Sequence, residues 1–384
     1  MYRTICYDTL RPNSRLLLRT LSSRPELGEG VQRLGMTDWT CDGANELLDF
    51  SFANTNRIDE AARHCLNQGL AMPSSHLGKE LKWQFDNGLE GFDLTTIFLL
   101  CPNIRELELT VIRFRSDLFM KALNEAASAK SHLNVLKNLK RLSVNHWHKG
   151  LGYRLSDVLP FFDLKSLTTF ETCKVVSVAW VTGSYYRINP SLERIEGGMT
   201  CLRDLVLDES ALDATAISLL VTGCRALRKL EITYGIISEC GHDVEFPEID
   251  FFLIYTSLCA HKKSLTRLKF DTRLMVEYKD DVRHRCLRDF TAPTYLFLEQ
   301  AALLGNLTAS RHPSIEVLDL ASILPASLEY VFLHRCSKAI LPLLEDAILG
   351  GEFWTQFPKL TNISLIIDLD DEEEETDIVC ERLE

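Results

Sequence analysis

The 384-residue chain lacks apolar runs long enough to cross a bilayer; stretches such as TTIFLLC and AISLLV fall far short of the roughly 20 residues a membrane helix needs. Its N-terminus has no continuous apolar segment followed by a small-residue cleavage site, so no secretory signal is expected. The 12 cysteines form no CxxC pair and no dense framework, which fits reduced core thiols in a cytoplasmic or nuclear protein. A Walker loop, GxGxxG, GxSxG, HExxH and paired-cysteine zinc motifs are all missing, and the glycines are dispersed. No enzymatic activity and no cofactor are therefore expected. Basic excess is lacking as well: the net charge is −12, and the tail 368–384, with ten acidic residues and one Arg, supplies −9 of it. That balance argues against nucleic acid or an anionic membrane as the main partner.

Metal sites are thinly supported. His146-Trp147-His148 follows an expected strand, and two His separated by one residue can share a face, but no third ligand is evident. His284 and Cys286, in a charge-rich segment, carry still less. The run DLDDEEEE has no glycine-turned loop to wrap oxygens round calcium. No metal is expected.

What the chain does contain is a repeated phrase. The stretch CLRDLVLDESALDATAISLLVTGCRALRKLEITYG carries L-x-x-L-x-L twice, at Leu202, Leu205, Leu207 and at Leu227, Leu230, Ile232. Alternation in a strand sends Leu205 and Leu207 inward while Asp204, Val206 and Asp208 face out. Between the two phrases, Asp213 is placed to cap a helix that buries Ala216, Leu219 and Leu220 and closes at Gly223. One strand-helix unit of this size cannot bury its own apolar face, so it must be stacked on neighbours, as in a leucine-rich repeat.

Further phrases begin at 104, 139, 167, 265, 293, 315, 328 and 360, at irregular spacing. The predicted architecture is an α/β leucine-rich-repeat solenoid with degenerate repeats, curved, its mostly parallel sheet on the concave face and its helices on the convex face. Residues 1–36 form an N-terminal segment with a short helix (Leu16, Leu17, Leu21), a second turn opened by Pro25, and a first strand at Val31, Leu34 and Met36. Residues 37–90 are read as irregular early repeats, and 91–367 as the solenoid. There, Asp93 and Ser116 are expected helix caps; Ile249, Phe252, Leu253 and Thr256 are expected on one helix. The segment 272–290 is expected to loop out, and LTNISLII to be the last strand. Residues 368–384 are expected to be a disordered acidic tail, since like charges repel.

Outward strand positions then stack into a ladder. Its middle rung reads Glu108, Ser143, Glu171, Val206, Glu231, Lys269, Phe297, Asp319, Phe332, Ser364, flanked by Glu106, Arg141, Asp204, Asp208, Lys229, Arg267, Tyr295, Tyr330 and His334. The early part is acidic and polar and the later part aromatic. Tyr295, Phe297, Tyr330 and Phe332 exposed together would be costly, so the candidate partner-binding residues are Glu108, Glu171, Asp204, Asp208, Glu231, Lys269, Tyr295, Phe297, Tyr330 and Phe332.

Three stretches carry a family resemblance. MYRTI with LLLRTLSSRPELGEGVQRL resembles the segment that follows the F-box in fungal F-box proteins with degenerate leucine-rich repeats. CLRDFTAPTYLFL with its trailing LLG is similar to a late repeat, and ILPASLEYVFLHRC followed by FPKL to the terminal repeats. The resemblance implies the substrate-recognition part of a cullin-type ubiquitin-ligase subunit, with a protein substrate or peptide segment as partner. In that family an upstream F-box beginning LP-x-E binds a Skp-type adaptor. No residue here matches that box, so the resemblance assigns adaptor binding to none of them; it would need an F-box upstream. The alternative is a free-standing repeat scaffold without a ligase link.

Overall fold

The apolar positions of the L-x-x-L-x-L phrases are the core positions of the fold. In the computed structural model, Leu202, Leu205, Leu207, Leu227, Leu230 and Ile232 are all at most 2% exposed. The structure describes residues 3–7, 11–36, 90–111, 118–127, 135–146, 152–181, 184–187, 200–235, 238–239, 242–243, 249–272, 287–304, 320–338, 340–349, 352–367 and 376–381. The expected early repeats at 37–89 and the expected cap Ser116 therefore lie outside the described residues. The chain is α/β, its strands mostly parallel, and it divides into two compact units, Met1–Thr172 and Cys173–Glu384.

The first unit runs β1 (Thr4–Tyr7), α1 (Arg11–Ser23), α2 (Pro25–Glu29), β2 (Arg33–Met36), α3 (Glu90–Leu99), β3 (Glu106–Val111), α4 (Leu118–Ala127), β4 (Arg141–His146), β5 (Tyr153–Arg154), α5 (Leu155–Val158) and β6 (Thr169–Cys173). Strands β1, β2, β3, β4 and β6 pair in that order, all parallel, so Leu34, Leu107, Leu142 and Phe170 stand side by side on the buried face. Pro25 opens α2, where its missing N–H costs nothing. Gly28 is required by close approach: a Cβ there would lie 2.1 Å from the Leu100 carbonyl oxygen. The expected cap Asp93 is corrected. Helix α3 begins three residues earlier, at Glu90, so Asp93 lies inside its first turn, while Ile97, Phe98 and Cys101 are buried as the spacing predicted.

The second unit contains β7 (Val175–Val176), β8 (Val178–Val181), β9 (Ser184–Arg187), β10 (Asp204–Ser210), α6 (Ala214–Gly223), β11 (Lys229–Tyr234), β12 (Ser238–Glu239), β13 (His242–Asp243), α7 (Phe251–Leu258) and β14 (Arg267–Asp271). It continues with β15 (Tyr295–Glu299), α8 (Gln300–Leu304), α9 (Leu320–Ile323), β16 (Tyr330–Cys336), α10 (Ile340–Leu349), α11 (Glu352–Gln356), β17 (Asn362–Ile367) and β18 (Thr376–Glu381). Strands β10, β11, β14, β15, β16 and β17 pair in parallel, which aligns Leu205, Leu230, Leu268, Leu296, Val331 and Ile363 in one buried row. Asp213 caps α6 as predicted, its Oδ1 accepting from the Ala216 N–H at 2.6 Å. Asp250 does the same for α7, accepting from the Leu253 N–H at 3.1 Å.

Three expectations are corrected in this unit. Ile249, expected on one helix with Phe252, Leu253 and Thr256, lies before it: Asp250 caps α7, which starts at Phe251 and buries Phe251, Ile254 and Leu258, while Phe252 is 53% exposed and Thr256 is exposed. The expected phrase at 315 lies, up to Asp319, outside the described residues; among the described strands β15 pairs directly with β16, and Leu320 opens α9. LTNISLII is not the last strand, because β18 pairs antiparallel with β17 from Ile367–Thr376 to Asn362–Glu381. The tail is therefore ordered into a strand at 376–381, where TDIVCE has β-branched residues and the charge run has ended. In the charge-rich segment 272–290, Thr272, Leu287 and Phe290 are buried; 273–286 lie outside the described residues.

Polar side chains fasten several phrases to the one before. Thr168, Thr266, Thr294 and Thr361 occupy the second position of their phrases. Their hydroxyls donate to the carbonyls of Lys140 (3.1 Å), Arg228 (3.0 Å), Thr266 (3.4 Å) and Glu329 (3.0 Å), the matching position of the neighbouring phrase. Ser264 and Ser327, one residue earlier, donate to Leu227 and Pro293 carbonyls at 2.9 and 2.7 Å. The buried His261 accepts from the Leu227 N–H at Nδ1 and donates from Nε2 to the Val221 carbonyl at 2.9 Å, tying α6 to the next strand.

Candidate functional site

Strand pairing in the second unit brings the predicted outward residues into two rungs. One runs Asp204, Lys229, Arg267, Tyr295, Tyr330, Asn362; the other runs Val206, Glu231, Lys269, Phe297, Phe332, Ser364. Asp319, expected between Phe297 and Phe332, lies outside the described residues; Phe297 and Phe332 are direct register partners.

The charged half of this face is internally neutralised. Glu231 bonds the Lys229 ammonium at 2.9 Å and the Arg267 guanidinium. Burial pushes its carboxyl up, but the bonds to Lys229 and Arg267 outweigh that, and it sits below the ordinary carboxylate range. Asp204 lies 3.9 Å from the Arg228 guanidinium. Asp208 is exposed at a bulge where Glu209 adopts φ +42°, and its carbonyl accepts from the Lys174 N–H and the Ser210 hydroxyl. Gly235 meets this bulge so closely that a Cβ would come within 2.7 Å of the Glu209 backbone.

The aromatic half is ordered by stacking. The Arg267 guanidinium lies 3.8 Å above the Tyr295 ring, and the Lys269 ammonium 5.3 Å from the Phe297 ring. Phe297 and Phe332 stack at 4.5 Å with planes 6° apart. The expectation of four exposed aromatics is thereby corrected. Phe297 is only 6% exposed, Tyr295 and Phe332 are half-buried, and Tyr330 alone is well exposed, at 49%. Each ring covers its neighbour across the strands, a relief that single-strand alternation does not reveal.

At the ends of the strands lies a polar group that sequence reasoning missed. Asp271 is buried 3.5 Å from the Lys269 ammonium; Glu299 is buried against the Thr272 hydroxyl and, at 3.2 Å, the Arg335 guanidinium. His334, expected on the outer face, is fully buried: Nε2 donates to the Phe270 carbonyl at 3.1 Å, and the ring lies 4.9 Å from Phe297. The left-handed φ of +51° at Arg335 turns the strand there, so simple alternation ends at Leu333. A Phe–Leu–His–Arg run gives no sequence sign of such a bulge.

In the first unit the outward rungs carry no aromatic residue and from β3 to β6 are polar, Glu106, Arg141 and Thr169 in one and Glu108, Ser143 and Glu171 in the other. Glu108 and Glu106 lie 3.4 and 3.8 Å from the Arg33 guanidinium, and Glu171 lies 2.6 Å from that of Arg141. The pairs are exposed or half-exposed. Trp147, His148, His284 and Cys286 lie outside the described residues; His146 stacks on Tyr153 at 6.4 Å. Among the described residues no three His, Cys, Asp or Glu converge as a metal site, and no helix is long and apolar enough to cross a membrane. Burial pushes the thiols of Cys101 and Cys173 up to about 12 and that of Cys224 to about 11, so all three are protonated at neutral pH. On the helix side of the second unit, Phe251, Ile254, Tyr255, Leu258, Phe270 and Leu298 line a mainly apolar cavity of about 40 Å³. No protein-family model matches the sequence, and no curated protein matches it.

Proposed function

We propose that the chain is a protein-interaction module of the leucine-rich-repeat solenoid type, which holds an extended segment of a partner protein along the strand face of its second unit. The observation that carries this reading is the aromatic end of the two rungs, where Tyr330 stands exposed beside the half-buried Tyr295 and Phe332. Large rings fixed by stacking lose little side-chain freedom on binding, which is why such rings serve as anchors in interfaces. The repeated Leu rows and the Thr and Ser bonds between successive phrases support the solenoid reading, since each phrase is completed by its neighbour.

By the resemblance of its N-terminal and late repeats, the module serves substrate recognition in a cullin-type ubiquitin ligase. The resemblance covers the repeats and assigns no adaptor-binding residue. Replacing Tyr295→Ala together with Phe332→Ala is expected to weaken partner binding about tenfold or more while leaving the chain folded. Unchanged binding, or loss of the fold, contradicts the placement. A bound partner whose ubiquitination falls when the chain is removed supports the ligase role; a partner bound with no change in ubiquitination favours a free-standing scaffold.

A further inference from the structure

We infer that the segment received by this face presents a cationic side chain, arginine or lysine, which stacks on the platform of Tyr330 and Phe332; this rests on the binding role proposed above. The two rungs repeat one arrangement, a cation followed by two rings: Arg267, Tyr295, Tyr330 in one and Lys269, Phe297, Phe332 in the other. On the inner side the ring faces are met by cations of the chain, at 3.8 Å on Tyr295 and 5.3 Å on Phe297, and Phe297 in turn covers one face of Phe332. On the outer side the register partners are Asn362 and Ser364, whose short side chains bond each other at 2.7 Å. Neither is long enough to roof a ring as Arg267 roofs Tyr295. The negative face of an aromatic ring attracts a cation, and a guanidinium also stacks flat upon it.

Charge selects the same partner. The chain is −12 overall, and the eight residues joining β17 to β18, Asp368 to Glu375, include seven acids. Its flanking residues Ile367 and Thr376 pair with each other beside Cys336, at the C-terminal end of β16, whereas Tyr330 and Phe332 lie toward the N-terminal end of that strand, so the acids act on a partner's approach and not as contacts of the platform. A basic segment meets favourable charge on approach, whereas an acidic segment is repelled. The cations already on the face, Lys229, Arg267 and Lys269, are paired with Glu231 and Asp271.

The test is selection of short random displayed peptides on the full chain, followed by fluorescence anisotropy with a selected peptide. Enrichment of arginine or lysine is expected. Replacing the selected peptide's arginine by citrulline, or its lysine by norleucine, is expected to weaken binding about fivefold to thirtyfold. Tyr330→Ser should give a loss of similar size, and raised salt should weaken binding further. The exchange on the peptide leaves the protein untouched, so it reads the cationic contact independently of any protein variant. Selected peptides that bind through Tyr330 and Phe332 but are acidic or purely apolar overturn the cationic inference and leave the binding face standing. Peptides whose binding ignores both residues overturn the inference and the face together.

Discussion

The strand faces of the two units are built on the same backbone pattern and carry different chemistry. In the first unit, Arg33, Glu106, Glu108, Arg141 and Glu171 form ion pairs that remain in contact with water. In the second, the pairs at Glu231 give way to cations on rings and rings on rings, ending in Tyr330. The inward rows are interchangeable, Leu34–Leu107–Leu142 in one and Leu205–Leu230–Leu268 in the other. The repeat supplies a scaffold, and the outward positions are where the units become different surfaces. Exposed ion pairs contribute little to stability and bind partners weakly; rings held in place can anchor one.

The sharpest way to break this contrast is on the inward side. Phe270 is buried between Tyr234 and Phe251, with ring centroids 5.8 and 5.1 Å away. Phe270→Ala is expected to cost about 3–5 kcal/mol in denaturant unfolding. A cost below about 1 kcal/mol would mean that the row is not the core. Second in size, Gly28→Ala should destabilise the first unit by about 2–3 kcal/mol, because the Leu100 carbonyl must move aside for the new methyl. An unchanged unfolding midpoint would contradict the close approach of α2.

On the outward side the effects shrink. Glu231→Gln is expected to cost about 1 kcal/mol at neutral pH. Because the carboxyl's folded pKa lies below its unfolded value, its contribution is present above the unfolded pKa and fades as pH falls through the folded one. The variant should therefore differ most from the native chain near neutrality and converge on it in acid; a gap that widens in acid would contradict the pairing. Smallest of all, Arg141→Ala in the first unit should change stability by no more than about 0.5 kcal/mol, checked by the same unfolding measurement.

How much of this was legible in the sequence follows from what each position answers to. Strands with two or three aliphatic residues at fixed spacing, such as Leu202, Leu205, Leu207, declare themselves, because burial is a local constraint repeated along the chain. The outward rungs were largely readable for the same reason: with the inward residues placed, Glu231, Lys269, Phe297 and Phe332 fall in line. What alternation could not give was contact across strands. Phe297 reads as an exposed ring until Phe332, 35 positions on, is laid against it. His334 reads as outward until Arg335 turns the strand. The strand at Thr376–Glu381 was hidden by the acids before it, whose charge dominated the reading of the whole tail.

The described residues include two large apolar side chains that are well exposed, Tyr330 at 49% on the aromatic face and Phe252 at 53% on helix α7. Measuring the affinity of the full chain for a selected peptide in Tyr330→Ala and Phe252→Ala, side by side, tests the central claim most directly. A loss of about fivefold or more at Tyr330 with none at Phe252 is the expected result. Equal losses, or a loss at Phe252 alone, would place binding away from the strand face and contradict the account.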